Sequence, residues 1–114
     1  MLAFAGNDNI RDSWWSYGDA DMLERAMLVG YRSGFYTDEE LTTAFDMVSY
    51  KAAAAMPIPV YGLQRGAPAN FIALQARHVP EAAVGRPPER SVYRSGELIA
   101  RGGKLLPERN SMVV

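Results

Sequence analysis

The chain has 114 residues, enough for one domain with a modest hydrophobic core. Its 12 basic and 13 acidic residues leave a formal net charge of -1, so we expect neither nucleic acid nor an anionic membrane as a partner. The chain has no cysteine, which excludes disulfides and thiolate metal sites. No apolar run approaches the ~20 residues that span a bilayer, and no basic and apolar leader is recognisable. We therefore expect a soluble, cytoplasmic protein.

The first element is an apolar run, MLAFA, which begins at Met1 and ends at the polar cluster from Gly6 to Asn9. This run predicts a short buried strand. Chain ends are usually exposed and weakly held, so a domain seldom begins with a core strand. We therefore expect that elements which precede this strand in its fold are missing from the chain.

A helix is predicted after the tryptophan-rich loop. Asp19 is its expected N-cap, and apolar residues recur at helical spacing over residues 22–30. Gly34 is its expected end, because glycine adopts the left-handed conformation that terminates helices.

The next helix carries the strongest local signal in the sequence. Thr37 is followed three residues later by Glu40, which is the pattern of a capping box, and the first turn is acidic, as the helix dipole favours. An apolar stripe then continues at helical spacing up to the sequence MPIP, whose prolines forbid further helix. The stripe predicts one helix that ends near Ala55.

The rest of the chain is predicted to be rich in β-structure. Phe71–Leu74 form a compact apolar strand after a glycine and proline turn. The sequence HVPEAAV allows one or two short helical turns. The sequence SVYRSGELIARGGKL predicts a hairpin, with strands at 92–93 and 98–99 and a turn at Ser95-Gly96.

Few residues offer catalytic or ligand chemistry. His78 is the only histidine, so this chain cannot assemble a multi-histidine metal site, and a surface histidine is the ordinary interpretation, with a ligand role as the alternative. Asp8 and Asp12 are either turn residues or, if the first strand belongs to a parallel barrel, residues of an active site at its carboxyl end. Trp14 and Trp15 either pack against the fold or line an aromatic substrate pocket.

The segment GNDNIRDSWWSYGDADML resembles the one that follows the last barrel strand in the cytosine deaminase branch of the metal-dependent amidohydrolase superfamily. In that family a glycine is followed by a metal-binding aspartate, an acid or amide, an apolar residue, a second aspartate and a tryptophan. The matching residues are Gly6, Asp8, Asn9, Ile10, Asp12 and Trp14. The similarity continues through the TDEE helix and the stretch YGLQRGAPANFIAL, and covers residues 1–104.

The resemblance implies an α/β fold. It would be a fragment of a TIM-type (β/α)8 barrel, comprising the last strand and helices, plus the C-terminal part of a small β-sandwich. Residues 1–57 would contain the last barrel strand, its helix and an additional helix. Residues 58–104 would form the C-terminal part of the small β-domain, and residues 105–114 a flexible tail.

The resemblance also implies metal-assisted hydrolysis of a ring C–N bond in a cytosine-like aminopyrimidine or an aminotriazine. Asp8 would be both a ligand of a divalent zinc or iron ion and the carrier of a proton, and Asn9 and Trp14 would contact the substrate. The family's HxH pair, its further metal-binding histidine and its glutamate lie upstream of this chain. We therefore expect the chain alone to hold no metal tightly and to be inactive.

Two residues depart from the family pattern. Asn9 replaces an acid that contacts the pyrimidine in bacterial cytosine deaminases, so cytosine stays open as a substrate, and Asn70 replaces a structural aspartate. Strand edges and apolar helix faces without neighbours would also favour self-association. We therefore expect a homo-oligomer. The alternative function is a non-catalytic, self-associating domain derived from the same scaffold.

Overall fold

In the computed structural model, which describes residues 1–8, 10–11, 13 and 17–107, helices and strands fall into two units. The first unit comprises Met1–Ile58 and Arg77–Arg86, and the second comprises Pro59–Ala76 and the residues from Pro87 onward. The first contains α1 (Met22–Ser33), α2 (Asp38–Met47), α3 (Tyr50–Ala55) and α4 (Val79–Gly85). None of the helices in these described ranges is long and apolar enough to cross a membrane.

Helix α1 begins two residues later than predicted. The side chain of Asp21 accepts a hydrogen bond from the backbone N–H of Leu23 at 3.0 Å, so Asp21 is the N-cap and the assignment of Asp19 was wrong. Asp19 lies two residues earlier, where its Oδ1 accepts from the N–H of Asp21 at 3.0 Å. Gly34 ends the helix in the left-handed conformation, with φ +70°, as predicted.

The capping box of α2 is confirmed. Thr37 Oγ1 accepts from the backbone N–H of Glu40 at 3.1 Å, and the Glu40 carboxylate accepts in return from Thr37 N–H at 3.2 Å. The same carboxylate oxygen also accepts from the N–H of Tyr36 at 2.6 Å. The start of α2 is therefore fixed by bonds among residues close in sequence.

The predicted single helix over 38–55 is wrong, because the structure has two helices with a break at Val48 and Ser49. Both backbone N–H groups at the break donate to carbonyls three residues back instead of four. The hydroxyl of Ser49 donates to the carbonyl of Phe45 at 2.8 Å, which adds a competing local bond. The predicted helix end at Ala55 is confirmed.

The N-terminal segment, residues 1–8, does not form the predicted strand. A strand needs a neighbour that pairs with it, and among the described residues the segment has only one such backbone bond, from Ala5 N–H to the carbonyl of Met47 at 3.0 Å. Leu2 and Phe4 are 51% and 54% exposed. Within the described part of the chain, the apolar run therefore has no strand neighbour that would bury it.

Small side chains form the helix contacts of the first unit. Gly30 of α1 is buried, and a Cβ placed on it would lie 3.2 Å from Leu41 Cδ2 on α2, so the two helices approach closely. The buried hydrophobic residues within the described ranges are Ala26, Ala44, Ala52, Ala53, Ala82 and Ala83. Since burial stabilises by roughly 25 cal/mol per Å² of apolar surface, alanines contribute little each.

The second unit contains an antiparallel sheet in the order β1 (Phe71–Leu74), β2 (Arg90–Arg94), β3 (Glu97–Arg101) and β4 (Lys104–Leu105). The predicted strand and hairpin are confirmed. The predicted tail includes Leu105 of β4, and its residues from 108 onward lie outside the described part of the chain. The predicted domain limits stay predictions.

The hairpin turn between β2 and β3 is held by the residues that precede β1. Ser95 and Gly96 both have positive φ, +50° and +80°, as a type I′ turn requires. Asn70 Oδ1 accepts from Ser95 N–H at 2.8 Å, and Gly96 N–H donates to the carbonyl of Ala69 at 3.0 Å. Asn70 thus provides an acceptor oxygen at the position where the resemblance implies an aspartate.

Candidate functional site

The carboxylate assigned to the site, Asp8, lies at the end of the N-terminal segment, and its side chain is exposed. Asn9 and Trp14, which were predicted to contact substrate, lie outside the described residues, as do Asp12 and Trp15. The structure therefore places one of the three predicted site residues. The roles of all three stay predictions.

Two contacts attach the segment that leads to Asp8. The first is the backbone bond between Ala5 and Met47. In the second, Asn7 Oδ1 accepts hydrogen bonds from Nε (2.8 Å) and Nη2 of Arg25 on α1. Sequence reasoning missed this pair. The position of Arg25 beside the buried face of α1 could have indicated that its side chain contacts the fold. No neighbouring residue indicated Asn7 as its partner.

The described residues of this chain do not by themselves fit a metal ion. The described ranges contain no group of three or more His, Asp or Glu side chains arranged to hold one. His78 is the N-cap of α4, and its Nδ1 accepts from the backbone N–H of Glu81 at 3.1 Å. A catalytic zinc usually takes three protein ligands, so Asp8 could supply only part of such a site.

An open groove of 450 Å³ lies on the first unit beside α2 and α4. Its lining residues are Asp38, Glu39, Thr42, Thr43, Asp46, His78 and Pro80. The two threonine hydroxyls donate to backbone carbonyls of their own helix, at 2.8 and 3.1 Å. The groove is acidic and contains no pairing of a nucleophile with a base, so its geometry indicates no reaction.

The two perturbed carboxyl groups serve helix ends rather than a reaction centre. The backbone N–H groups of Tyr36 and Thr37 lower the pKa of Glu40 below its usual value. The backbone N–H of Arg77, followed by its side chain, likewise lowers the pKa of Glu81. Because hydrogen bonds to the ionised form explain both directions, neither shift indicates a catalytic acid.

The described helices and sheet match part of the structures of amidohydrolases, which confirms the resemblance predicted from the sequence. The particular match is to an N-isopropylammelide isopropylaminohydrolase from Burkholderia multivorans ATCC 17616, with 42% sequence identity and a TM-score of 0.88 over 93% of this chain. A 5-methylcytosine deaminase from Klebsiella pneumoniae, solved with 5-fluorocytosine, matches at 23% identity and a TM-score of 0.72, and shows likeness of fold.

A curated relative gives the same indication. The chain is 26% identical over 96 residues to the N-isopropylammelide isopropyl amidohydrolase of Pseudomonas sp. (strain ADP). No protein-family model matches the chain. The chain spans 24% of the Pseudomonas protein and 27% of the Burkholderia enzyme, so the similarity concerns about a quarter of each.

Proposed function

We propose that this chain is the C-terminal part of an amidohydrolase that hydrolyses a C–N bond at the ring of an aminotriazine, with a cytosine-like aminopyrimidine as the related alternative. The observation that carries the proposal is the 42% identity to the Burkholderia N-isopropylammelide isopropylaminohydrolase, over 93% of this chain. The named substrate of that enzyme favours the aminotriazine.

In this proposal the N-terminal segment becomes the last strand of a (β/α)8 barrel when it pairs with strands outside this chain, and the sheet of the second unit belongs to the small β-sandwich. Barrel enzymes place their active sites at the carboxyl ends of the strands, which is where Asp8 follows the apolar run. The exposure of Leu2 and Phe4 supports the proposal, because strands outside this chain would cover them.

Asp8 then supplies a carboxylate that accepts a proton from water and returns it to the departing amine. Asn9 and Trp14 contact the ring of the substrate. A zinc or iron ion would need most of its ligands from residues outside this chain, because the described residues form no metal-binding group. The chain alone is therefore inactive in this proposal.

A chimaera tests the proposal, with this chain in place of the matching quarter of the Burkholderia enzyme. We expect it to release isopropylamine from N-isopropylammelide, and Asp8→Asn to abolish most of that turnover. Asp46→Asn, a change at a half-buried helix acid of the groove, is the matched control. Equal turnover by the Asp8→Asn and control chimaeras would refute the assignment of Asp8.

One observation favours the second candidate, a non-catalytic domain that associates with itself. The apolar side chains of Leu2 and Phe4 are about half exposed, while the buried hydrophobic residues in the described ranges are all alanines. Exposed apolar surface of this kind is often covered in an assembly. A homo-oligomer is compatible with both candidates, so turnover by the chimaera distinguishes them.

A further inference from the structure

The direction of the Asp8 side chain depends on a segment that has no regular structure. Burial alternates along this segment, with Ala5 and Asn7 half-buried and Phe4, Gly6 and Asp8 exposed. Alternation with a period of two is the pattern of an extended chain, in which successive side chains lie on opposite sides. Whatever holds residue 7 against the helices therefore determines the side on which residue 8 lies.

Asn7 is held by a contact that fixes its amide in one orientation. The guanidinium of Arg25 has only donors, so it selects the amide oxygen, which accepts from Nε at 2.8 Å and also from Nη2. The amide nitrogen is then turned toward the thioether of Met22, 3.2 Å from Sδ. Both partners are on α1, one helical turn apart, so a rigid helix provides the support.

We propose that Arg25 is a positioning residue that directs the Asp8 carboxylate by holding the side chain of Asn7. The inference rests on the proposed function, in which Asp8 belongs to the active site. Two donors of one planar group converge on a single oxygen, an arrangement that a lysine ammonium cannot reproduce. Arg25 touches no reacting atom and acts only through its neighbour.

The backbone dynamics of the full chain test this clamp without any turnover. We expect Arg25→Ala to lower the backbone order parameter at Asp8 from about 0.85, typical of a rigid backbone, to below about 0.6. Hydrogen exchange at the Ala5 amide should become on the order of tenfold faster, as expected for loss of a hydrogen bond to a charged group. Arg32→Ala is the control, because Arg32 lies on the same helix without a hydrogen bond or ion pair to a described residue.

A double-mutant cycle separates the clamp from a general loss of stability. Asn7→Ala should match Arg25→Ala, and the double variant should be no worse than either, because both changes remove one interaction. Arg25→Lys should restore only part of the order. The proposal would be overturned if the effects of the two single changes were additive, or if the loss of order extended through the sheet. It would also be overturned if the Asp8 order parameter were the same in the Arg25→Ala and Arg32→Ala variants.

In the chimaera, Arg25→Ala should lower kcat about tenfold with KM changed less than twofold, whereas Arg32→Ala should change neither. An unchanged kcat in a chimaera that depends on Asp8 would refute the role of Arg25 and leave the proposed function intact. Normal turnover of the Asp8→Asn chimaera would instead refute the proposed role of Asp8, and with it the reason for positioning it.

Discussion

Asp8→Asn separates a catalytic carboxylate from an ordinary turn residue, because the structure predicts a small effect on stability and the proposed function predicts a large one on rate. Asp8 is exposed, and no described residue forms a hydrogen bond or ion pair with its carboxylate. Substitutions at such positions usually change the free energy of unfolding by less than about 0.5 kcal/mol. At about 4–8 °C per kcal/mol for a small domain, the melting temperature should shift by less than about 4 °C.

The expected change in the activation free energy is several times larger than this change in the free energy of unfolding. Removing a general acid or base usually costs about 10²- to 10⁴-fold in turnover. At 1.36 kcal/mol per tenfold, this corresponds to about 2.7–5.4 kcal/mol of activation free energy. A rate loss of that size in the chimaera, together with an unchanged melting temperature in the chain, could not be explained by partial unfolding.

The assay pairs thermal melts of the chain with steady-state turnover of the chimaera. Asp21→Ala is the positive control for the melts, because it removes the N-cap of α1 and should cost about 1 kcal/mol. If Asp8→Asn lowers the melting temperature as much as Asp21→Ala and leaves kcat unchanged, Asp8 is a turn residue. The active-site assignment would then be wrong.

Four further predictions concern the chain by itself. Thr37→Ala removes the acceptor of the capping box and should lower the urea-derived free energy of unfolding by about 1 kcal/mol, whereas an unchanged midpoint would contradict the observed bond. The pKa values of Glu40 and Glu81 in the folded chain lie below the usual 4.5. Their contributions to the free energy of unfolding are therefore complete above pH 4.5 and are lost as the pH falls through the lowered pKa values. Thermal melts between pH 3 and 6 should show this loss of stability. The double variant Glu40→Gln and Glu81→Gln should depend less on pH over the same range. Elemental analysis should find less than stoichiometric zinc or iron, and chelation should leave the melting temperature unchanged; tightly held metal with ammonia release from an aminopyrimidine would refute this. Sedimentation should show a dimer or a larger assembly, and the double variant Leu2→Ser and Phe4→Ser should associate less. A monomer at high concentration would show that these exposed side chains are not buried in an assembly.

Features controlled by neighbouring residues could be predicted from the sequence. The capping box at Thr37 and the turn at Ser95-Gly96 depend on side chains and glycines within four residues, so pattern and conformation coincide. The break after Met47 was missed because the apolar stripe continues through it. The competing bond comes from Ser49, whose effect on a helix depends on its context.

In the candidate site, too, features set by neighbouring residues could be predicted, and contacts between distant residues could not. Asp8 was predicted because a short motif contains it, and its role stays a prediction. The clamp between Asn7 and Arg25 joins residues 18 positions apart, and only the folded helix brings them together. The predicted strand failed for a related reason, since its pairing partners are not among the described residues of this chain.

The interruption between α2 and α3 has a consequence for how this chain can change in evolution. In an unbroken helix the carbonyl of Met47 would bond to the amide of Lys51, four residues later. In this fold that carbonyl receives the N–H of Ala5 instead. Substitutions that improve the local helix, such as Ser49→Ala, would therefore compete with the attachment of the first residues. A continuous helix and a segment attached through Ala5, which leads to Asp8, therefore exclude one another at the Met47 carbonyl. Ser49, which interrupts the helix, favours the attached segment.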